Sequence, residues 1–195
     1  MRYIRIKQIF IATMILVGAS LLASCEPTAG EPIWKKHSSI YYGGPYFEQP
    51  TAYQQGIIDQ LKSQGVDFIQ VGETINLVFS SDQLFLANSA NIQDTAKPLL
   101  KLTARLIRSY DTTDISVRAY SDTPGTMPPK TLLTVRQAEV VAKRLWEAGV
   151  DTRLMSSQGK GVGHPIASNL SDAGQASNRR VEIVFRYHPA IQPYD

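Results

Sequence analysis

Cysteine is nearly absent from this chain of 195 residues, in which Cys25 is the only one. A single cysteine excludes any disulfide within the chain. Histidine is almost as scarce, because His37, His164 and His188 are the only three and do not show the spacing of metal ligands. The sequence also offers no partner for a nucleophile and no glycine-rich phosphate loop that opens a helix. It therefore predicts no metal site, no cofactor and no enzyme activity.

Acidic residues are absent before Cys25, a stretch that contains Arg2, Arg5 and Lys7. These three residues account for the whole formal charge of +3, since 20 Lys and Arg face 17 Asp and Glu along the chain. Without them the remaining chain is neutral, although the full sequence has a pI near 9.0. A neutral chain gives no electrostatic argument for nucleic acid as a partner.

One long hydrophobic run extends from Ile9 to Ala23, near the N-terminus. Runs of this length are absent from the rest of the chain. The run is shorter than the roughly 20 residues that span a bilayer, and the basic residues before it are typical of a secretory signal. The segment from Leu22 to Cys25 resembles a lipobox. We therefore expect residues 1–24 to be a lipoprotein signal peptide, although an uncleaved anchor is the alternative.

Cleavage before Cys25 would leave that residue to carry the covalent diacylglycerol and N-acyl lipid of a bacterial lipoprotein. Glu26 follows it, rather than the Asp most associated with retention in the inner membrane. The expected location is therefore the periplasmic face of the outer membrane, with the lipid as the contact to that membrane.

Residues 25–50 are rich in Pro, Gly and Tyr and follow neither a helical nor a strand period. We interpret them as a lipidated flexible tether, whose typical reach would be roughly 25–30 Å. Trp34 and the aromatic run from Tyr41 to Phe47 leave open a second interpretation, in which the segment becomes ordered against a partner protein.

Hydrophobic periodicity predicts one folded domain over residues 51–188 and a C-terminal tail over residues 189–195. Helical spacing predicts helices over residues 51–64, 94–110 and 135–148. Alternation predicts strands over residues 67–71, 74–79, 114–120, 153–158 and 180–187, of which the first two form a hairpin. This order predicts an α/β fold, a two-layer sandwich with a mixed sheet.

Several short sequence segments occur in the same order and with the same gaps as in one known domain family. They are residues 115–125, with Asp122 and Gly125 in a loop after a strand, and residues 133–145, 149–150, 159–161, 165–169 and 178–183. Over residues 65–187 the chain resembles the OmpA-like peptidoglycan-binding domain. The resemblance implies helices on one face of the sheet. It also implies a groove, where the central strand ends and the next helix begins, that grips the diaminopimelate of the cell-wall stem peptide.

Such a groove needs a carboxylate for the ligand's ammonium and a guanidinium for the ligand's carboxylate. The resemblance assigns the carboxylate to Asp122, but the arginine of the family falls on Gln137. Loss of that charge implies a loss of about 1.5–3 kcal/mol of binding free energy. Arg136 cannot replace it, because helical geometry points Arg136 into solvent. Lys130, where the family commonly has Asn, could approach the groove from the loop.

Each groove candidate also has a structural interpretation. Thr134 and Gln137 fit a capping box, which we favour for Gln137 over ligand contact. Asp122 could instead accept backbone hydrogen bonds in a turn. Arg179 and Arg180 either contact the groove or begin a salt-bridged strand, and Asn169 is a candidate through its matching block.

Two functions compete on this basis. Residues 71–79 and the overall layout are similar to small OmpA-like lipoproteins of the Dot/Icm type IVB secretion system. That similarity and Gln137 favour a structural subunit of an envelope-spanning secretion complex, with other complex proteins as partners and peptidoglycan binding weak or lost. The alternative is a noncovalent peptidoglycan anchor that links the outer membrane to the cell wall.

Overall fold

The computed structural model describes residues 49–122 and 129–189, with side chains of the second stretch described from Thr131. The predicted signal peptide, nearly all of the predicted tether with Cys25, and the tail after residue 189 lie outside these ranges. The helices are α1 (Ala52–Ser63), α2 (Ser81–Leu84), α3 (Ala96–Ile107), α4 (Pro129–Glu147) and α5 (Asp172–Asn178). The strands are β1 (Asp67–Val71), β2 (Thr74–Ser80), β3 (Thr112–Tyr120), β4 (Met155–Gly161) and β5 (Arg180–Tyr187), and a short 3-10 helix spans Thr152–Leu154.

The five strands form one mixed sheet in the order β1-β2-β5-β3-β4. The hairpin partner β2 pairs antiparallel with both β1 and β5, and β5 pairs antiparallel with β3. Only β3 and β4 are parallel, with α4 as the connection between them. Parallel neighbours need such a crossover, whereas β1 and β2 need only the turn through Gly72.

The core lies between one face of this sheet and the helices. Because side chains alternate along a strand, buried residues of β2, β5 and β3 line up in rows across the sheet. The rows are Ile75-Phe185-Ile115, Leu77-Ile183-Val117 and Phe79-Val181-Ala119, and all nine side chains are at most 1% exposed. The helices α1, α3 and α4 supply the opposing side chains, among them Leu61, Leu106 and Leu145. This arrangement confirms the predicted α/β sandwich with a mixed sheet.

Most of the predicted elements agree with the structure to within a few residues. The strand predicted over residues 153–158 begins instead at Met155, because Thr152–Leu154 form a 3-10 helix. The fourth helix begins at Pro129, six residues before the predicted start, because residues 129–134 continue the helix without a regular apolar stripe. The short helices α2 and α5 were not predicted. Each is preceded by a serine, Ser80 or Ser171, whose side-chain oxygen accepts a hydrogen bond from a backbone N–H and caps the helix.

The glycines near residue 160 have a packing role. Gly159 lies in β4 directly beneath α4, where an added Cβ would come within 2.3 Å of the backbone nitrogen of Val135. Gly161 has a φ of +55°, and its N–H donates to the Thr134 hydroxyl oxygen at 3.1 Å. This stretch therefore holds α4 close to the sheet.

We expect Gly159→Ala to lower the free energy of unfolding by about 3 kcal/mol, because the helix backbone must move away from β4. The matched control is Gly56→Ala, since Gly56 lies in α1 with nothing within 4 Å of an added Cβ. That control should raise stability by about 0.5–1 kcal/mol. Urea denaturation followed by circular dichroism measures both, and equal effects of the two substitutions would contradict the packing role.

Candidate functional site

A cavity of about 450 Å³ opens where β3 ends, beside α2 and the first half of α4. Its walls come from four parts of the chain: the segment from Ser81 to Asn88, the end of β3, two residues of α4 and the residue before β5. The lining residues of greatest chemical interest are Asp82, Tyr120, Asp122, Gln137 and Arg179. The structure thus brings three of the predicted groove residues, Asp122, Gln137 and Arg179, into one site.

Asp122 lines this cavity and is 8% exposed. Its Oδ2 atom accepts a hydrogen bond from Nη1 of Arg179 at 2.8 Å, and its Oδ1 atom accepts one from the Ser121 hydroxyl at 3.3 Å. A buried carboxylate held in this way by a guanidinium keeps its charge. Asp122 therefore presents a fixed negative charge to the cavity.

Arg179 joins two carboxylates across the cavity. Its Nε and Nη2 atoms donate to the two carboxylate oxygens of Asp82, at 3.1 and 2.6 Å, while its Nη1 atom serves Asp122. The hydrogen bonds to Asp82 are the main cause that raises the pKa of Arg179 above its ordinary value. Arg179 is thus ion-paired directly before β5 and also lines the cavity. The salt-bridge interpretation and the groove interpretation of this residue therefore both apply.

Gln137 occupies the position at which the resemblance places an arginine. It is 7% exposed, and its Nε2 atom donates to the backbone carbonyl oxygen of Ser89 at 3.0 Å. The capping-box interpretation is wrong, because α4 begins at Pro129 and Thr134 lies inside the helix. The Thr134 hydroxyl donates to the carbonyl oxygen of Thr131 at 2.8 Å. Arg136 is exposed, as its helical position predicts.

Arg180 lies behind the cavity wall rather than in it. Its guanidinium stacks 3.7 Å from the ring centroid of Tyr120, and its Nε atom donates to Glu182 at 2.8 Å. The Tyr120 hydroxyl donates to the other oxygen of Glu182 at 3.2 Å. Burial, together with Glu182, raises the pKa of Tyr120. Arg180 therefore holds a cavity residue in place from outside the cavity.

Of the other predicted site residues, Asn169 is not among those that line the cavity. Asn169 belongs to the loop before α5, where its Oδ1 atom accepts a hydrogen bond from Nδ2 of Asn178 at 2.6 Å. Lys130 lies in the first turn of α4, but its side chain is outside the described residues. Cys25 is outside them as well.

Sequence reasoning missed Asp82 and the segment from Phe85 to Asn88. Ser80 caps α2 and Asp82 follows in its first turn, a pattern that was available in the sequence. The partnership of Asp82 with Arg179 spans 97 residues and could not be read from spacing.

Residues 49–122 and 129–189 contain no group of three or more His, Cys, Asp or Glu residues that could hold a metal ion. No helix among them is long and apolar enough to cross a membrane.

Comparison with known proteins shows what this domain is similar to. Residues 84–179 match the model of the OmpA family. Its sequence is 33% identical over 125 residues to the probable lipoprotein YiaD of Escherichia coli (strain K12), which covers 64% of this chain and 57% of YiaD. It is 29% identical over 124 residues to the outer-membrane lipoprotein YfiB of Pseudomonas aeruginosa, covering 64% of this chain and 73% of YfiB.

Among solved structures, the fold is similar to that of the cell wall anchor of the T6SS from Pseudomonas aeruginosa. The TM-score is 0.64 at 28% sequence identity, over 72% of this chain and 100% of that one. The match to YiaD spans little more than half of that relative's length. These proteins are described as lipoproteins and as a cell wall anchor, not as enzymes.

We expect Arg179→Gln to lower the free energy of unfolding by about 1–2 kcal/mol, since it leaves the buried Asp122 without its cationic partner. Arg186→Gln is the matched control, because Arg186 is an exposed residue of β5. Chemical denaturation measures both variants. Equal losses would show that the bridge to Asp82 and Asp122 does not stabilise the fold.

Proposed function

We propose that this protein is an outer-membrane lipoprotein whose OmpA-like domain binds the peptide part of peptidoglycan noncovalently and so links the membrane to the cell wall. The observation that carries the proposal is the cavity at the end of β3, with the buried carboxylate of Asp122 facing it. The stem peptide of peptidoglycan contains a diamino acid, and a fixed carboxylate in a partly enclosed site suits its ammonium group.

The similarity to the cell wall anchor of the T6SS supports this role, because it extends over the whole length of that structure. The similarities to YiaD and YfiB, both named as lipoproteins, support the proposal that Cys25 carries the lipid. YfiB is named as an outer-membrane lipoprotein, which supports the same membrane for this chain. In this arrangement the lipid holds the chain at the periplasmic face of the outer membrane, and residues 25–50 connect it to the domain.

A second candidate function is favoured by Gln137. Without a guanidinium at this position, the cavity lacks half of the charged contact that the resemblance implies for diaminopimelate. The same domain could then serve mainly as a docking subunit of an envelope-spanning secretion complex of the type IVB kind, with peptidoglycan binding weak or lost. The T6SS anchor shows that this fold occurs in a secretion system of another type.

Sedimentation with purified sacculi tests the first proposal. We expect the detergent-solubilised protein to sediment with sacculi at low salt and to lose about tenfold or more in affinity on Asp122→Asn, because the ligand's ammonium loses its charged partner. Raising the salt concentration should also weaken binding, since the contact is ionic.

The matched control for this experiment is Asp114→Asn, a change of the same kind at an exposed residue of β3. It should sediment as the unaltered protein does. If the unaltered protein stays in the supernatant at low salt, the cell-wall anchor is excluded. If Asp122→Asn and Asp114→Asn bind alike, the cavity is not the binding site.

Purification from solubilised membranes tests the second candidate together with the lipid. The unaltered chain should partition into the membrane fraction, and Cys25→Ser, which lacks the acylation site, should not. For a secretion subunit, partner proteins should copurify with the unaltered chain at constant stoichiometry. A protein that leaves the membrane as a monomer would contradict the second candidate.

A further inference from the structure

The amide of Gln137 has a defined orientation in the cavity wall. Its hydrogen-bond partner is the backbone carbonyl oxygen of Ser89, at 3.0 Å. A carbonyl oxygen can only accept, so the NH₂ group of Gln137 must face Ser89. The amide oxygen accepts no hydrogen bond from the described residues, and the second N–H of the same amide is also left after the contact with Ser89. This wall of the cavity is therefore neutral and suits a neutral group that both donates and accepts hydrogen bonds.

The charges around the cavity also disfavour a carboxylate group on the ligand. Asp82 and Asp122 together carry two negative charges, and among the described lining residues Arg179 is the only cation that faces them. All three nitrogen atoms of its guanidinium already donate to these two carboxylates. A ligand carboxylate placed beside Gln137 would meet a neutral amide and, among the described lining residues, a net negative charge whose one cation is already paired with Asp82 and Asp122.

We propose that the cavity selects a diamino acid of the stem peptide in which the side-chain ammonium is kept and the neighbouring carboxyl group is uncharged. The amide oxygen of Gln137 suits a carboxamide in particular, because the NH₂ group of a carboxamide can donate to it. The preferred ligand is therefore a stem peptide with amidated diaminopimelate, followed by one with lysine, and the peptide with the free acid binds least well. This inference rests on the proposed function, since it assumes that the cavity binds the stem peptide.

Position 137 is then the residue that sets this specificity. Gln137→Arg would place a guanidinium next to the ligand's carboxyl group and should favour the free acid through a bidentate contact. Gln137→Met keeps a similar length but removes the acceptor, so it should abolish the advantage of the carboxamide over lysine.

The experiment measures the binding of three synthetic stem peptides to the detergent-solubilised full chain by calorimetry. The peptides differ only in the third residue, which is diaminopimelate, its side-chain amide, or lysine. For the unaltered protein the amidated peptide should bind about tenfold more tightly than the free acid. Gln137→Arg should reverse that order. Arg136→Gln, a change at the exposed neighbouring residue, should preserve it.

Three outcomes would overturn the inference. Equal or tighter binding of the free acid to the unaltered protein would do so and would leave the proposed peptidoglycan binding intact. An unchanged order in both Gln137→Arg and Gln137→Met would exclude Gln137 as the cause, and thermal unfolding of each variant shows whether it is folded. If no peptide binds, the inference fails, and sedimentation with sacculi decides separately whether the proposed function fails with it.

Discussion

The guanidinium of Arg179 is the interaction on which the candidate site depends. It precedes β5, yet it binds one carboxylate in α2 and another at the end of β3, so three parts of the chain that are far apart in sequence meet at one cation. A planar group with several donors can serve two carboxylates at once, which a lysine could not do with the same geometry. Without that cation the two carboxylates would repel each other across the cavity.

This bridge has a consequence for ligand binding. Because Asp82 and Asp122 occupy the guanidinium, Arg179 is committed to holding the cavity together. The position from which α4 could add a second cation is Gln137, and its amide instead fastens the segment around Ser89. Among the described residues the cavity thus has a carboxylate in Asp122 and a neutral amide in Gln137. If the cavity binds the stem peptide as proposed, Gln137 alters which peptide is preferred, whereas the substitution considered alone suggests a loss of binding.

The aromatic wall of the cavity depends on a second set of charges. Arg180 follows Arg179 directly, but the alternation of a strand sends its side chain elsewhere, to the face of Tyr120 and to Glu182. The two adjacent arginines therefore have different roles. Arg179 lines the cavity, whereas Arg180, which is only 3% exposed, supports the cavity residue Tyr120. A stacked and ion-paired arginine of this kind can be buried because every part of its surface meets a suitable partner.

The sequence by itself determined the fold class and the order of the long elements, because alternation and helical spacing are local properties of a chain. The bounds of β1 and β5 agree with those expectations, and the early start of α4 does not, because Pro129 to Thr134 continue the helix without an apolar stripe. The sequence also singled out Asp122 and Gln137. Only the tertiary structure decided what they do. Asp82 accepts a hydrogen bond from Arg179, which is 97 residues away in the sequence. Gln137 donates to the backbone of Ser89, which is 48 residues away, and does not form the expected capping box with the nearby Thr134. Such contacts depend on which strands become neighbours in the sheet, and no spacing along the chain encodes that.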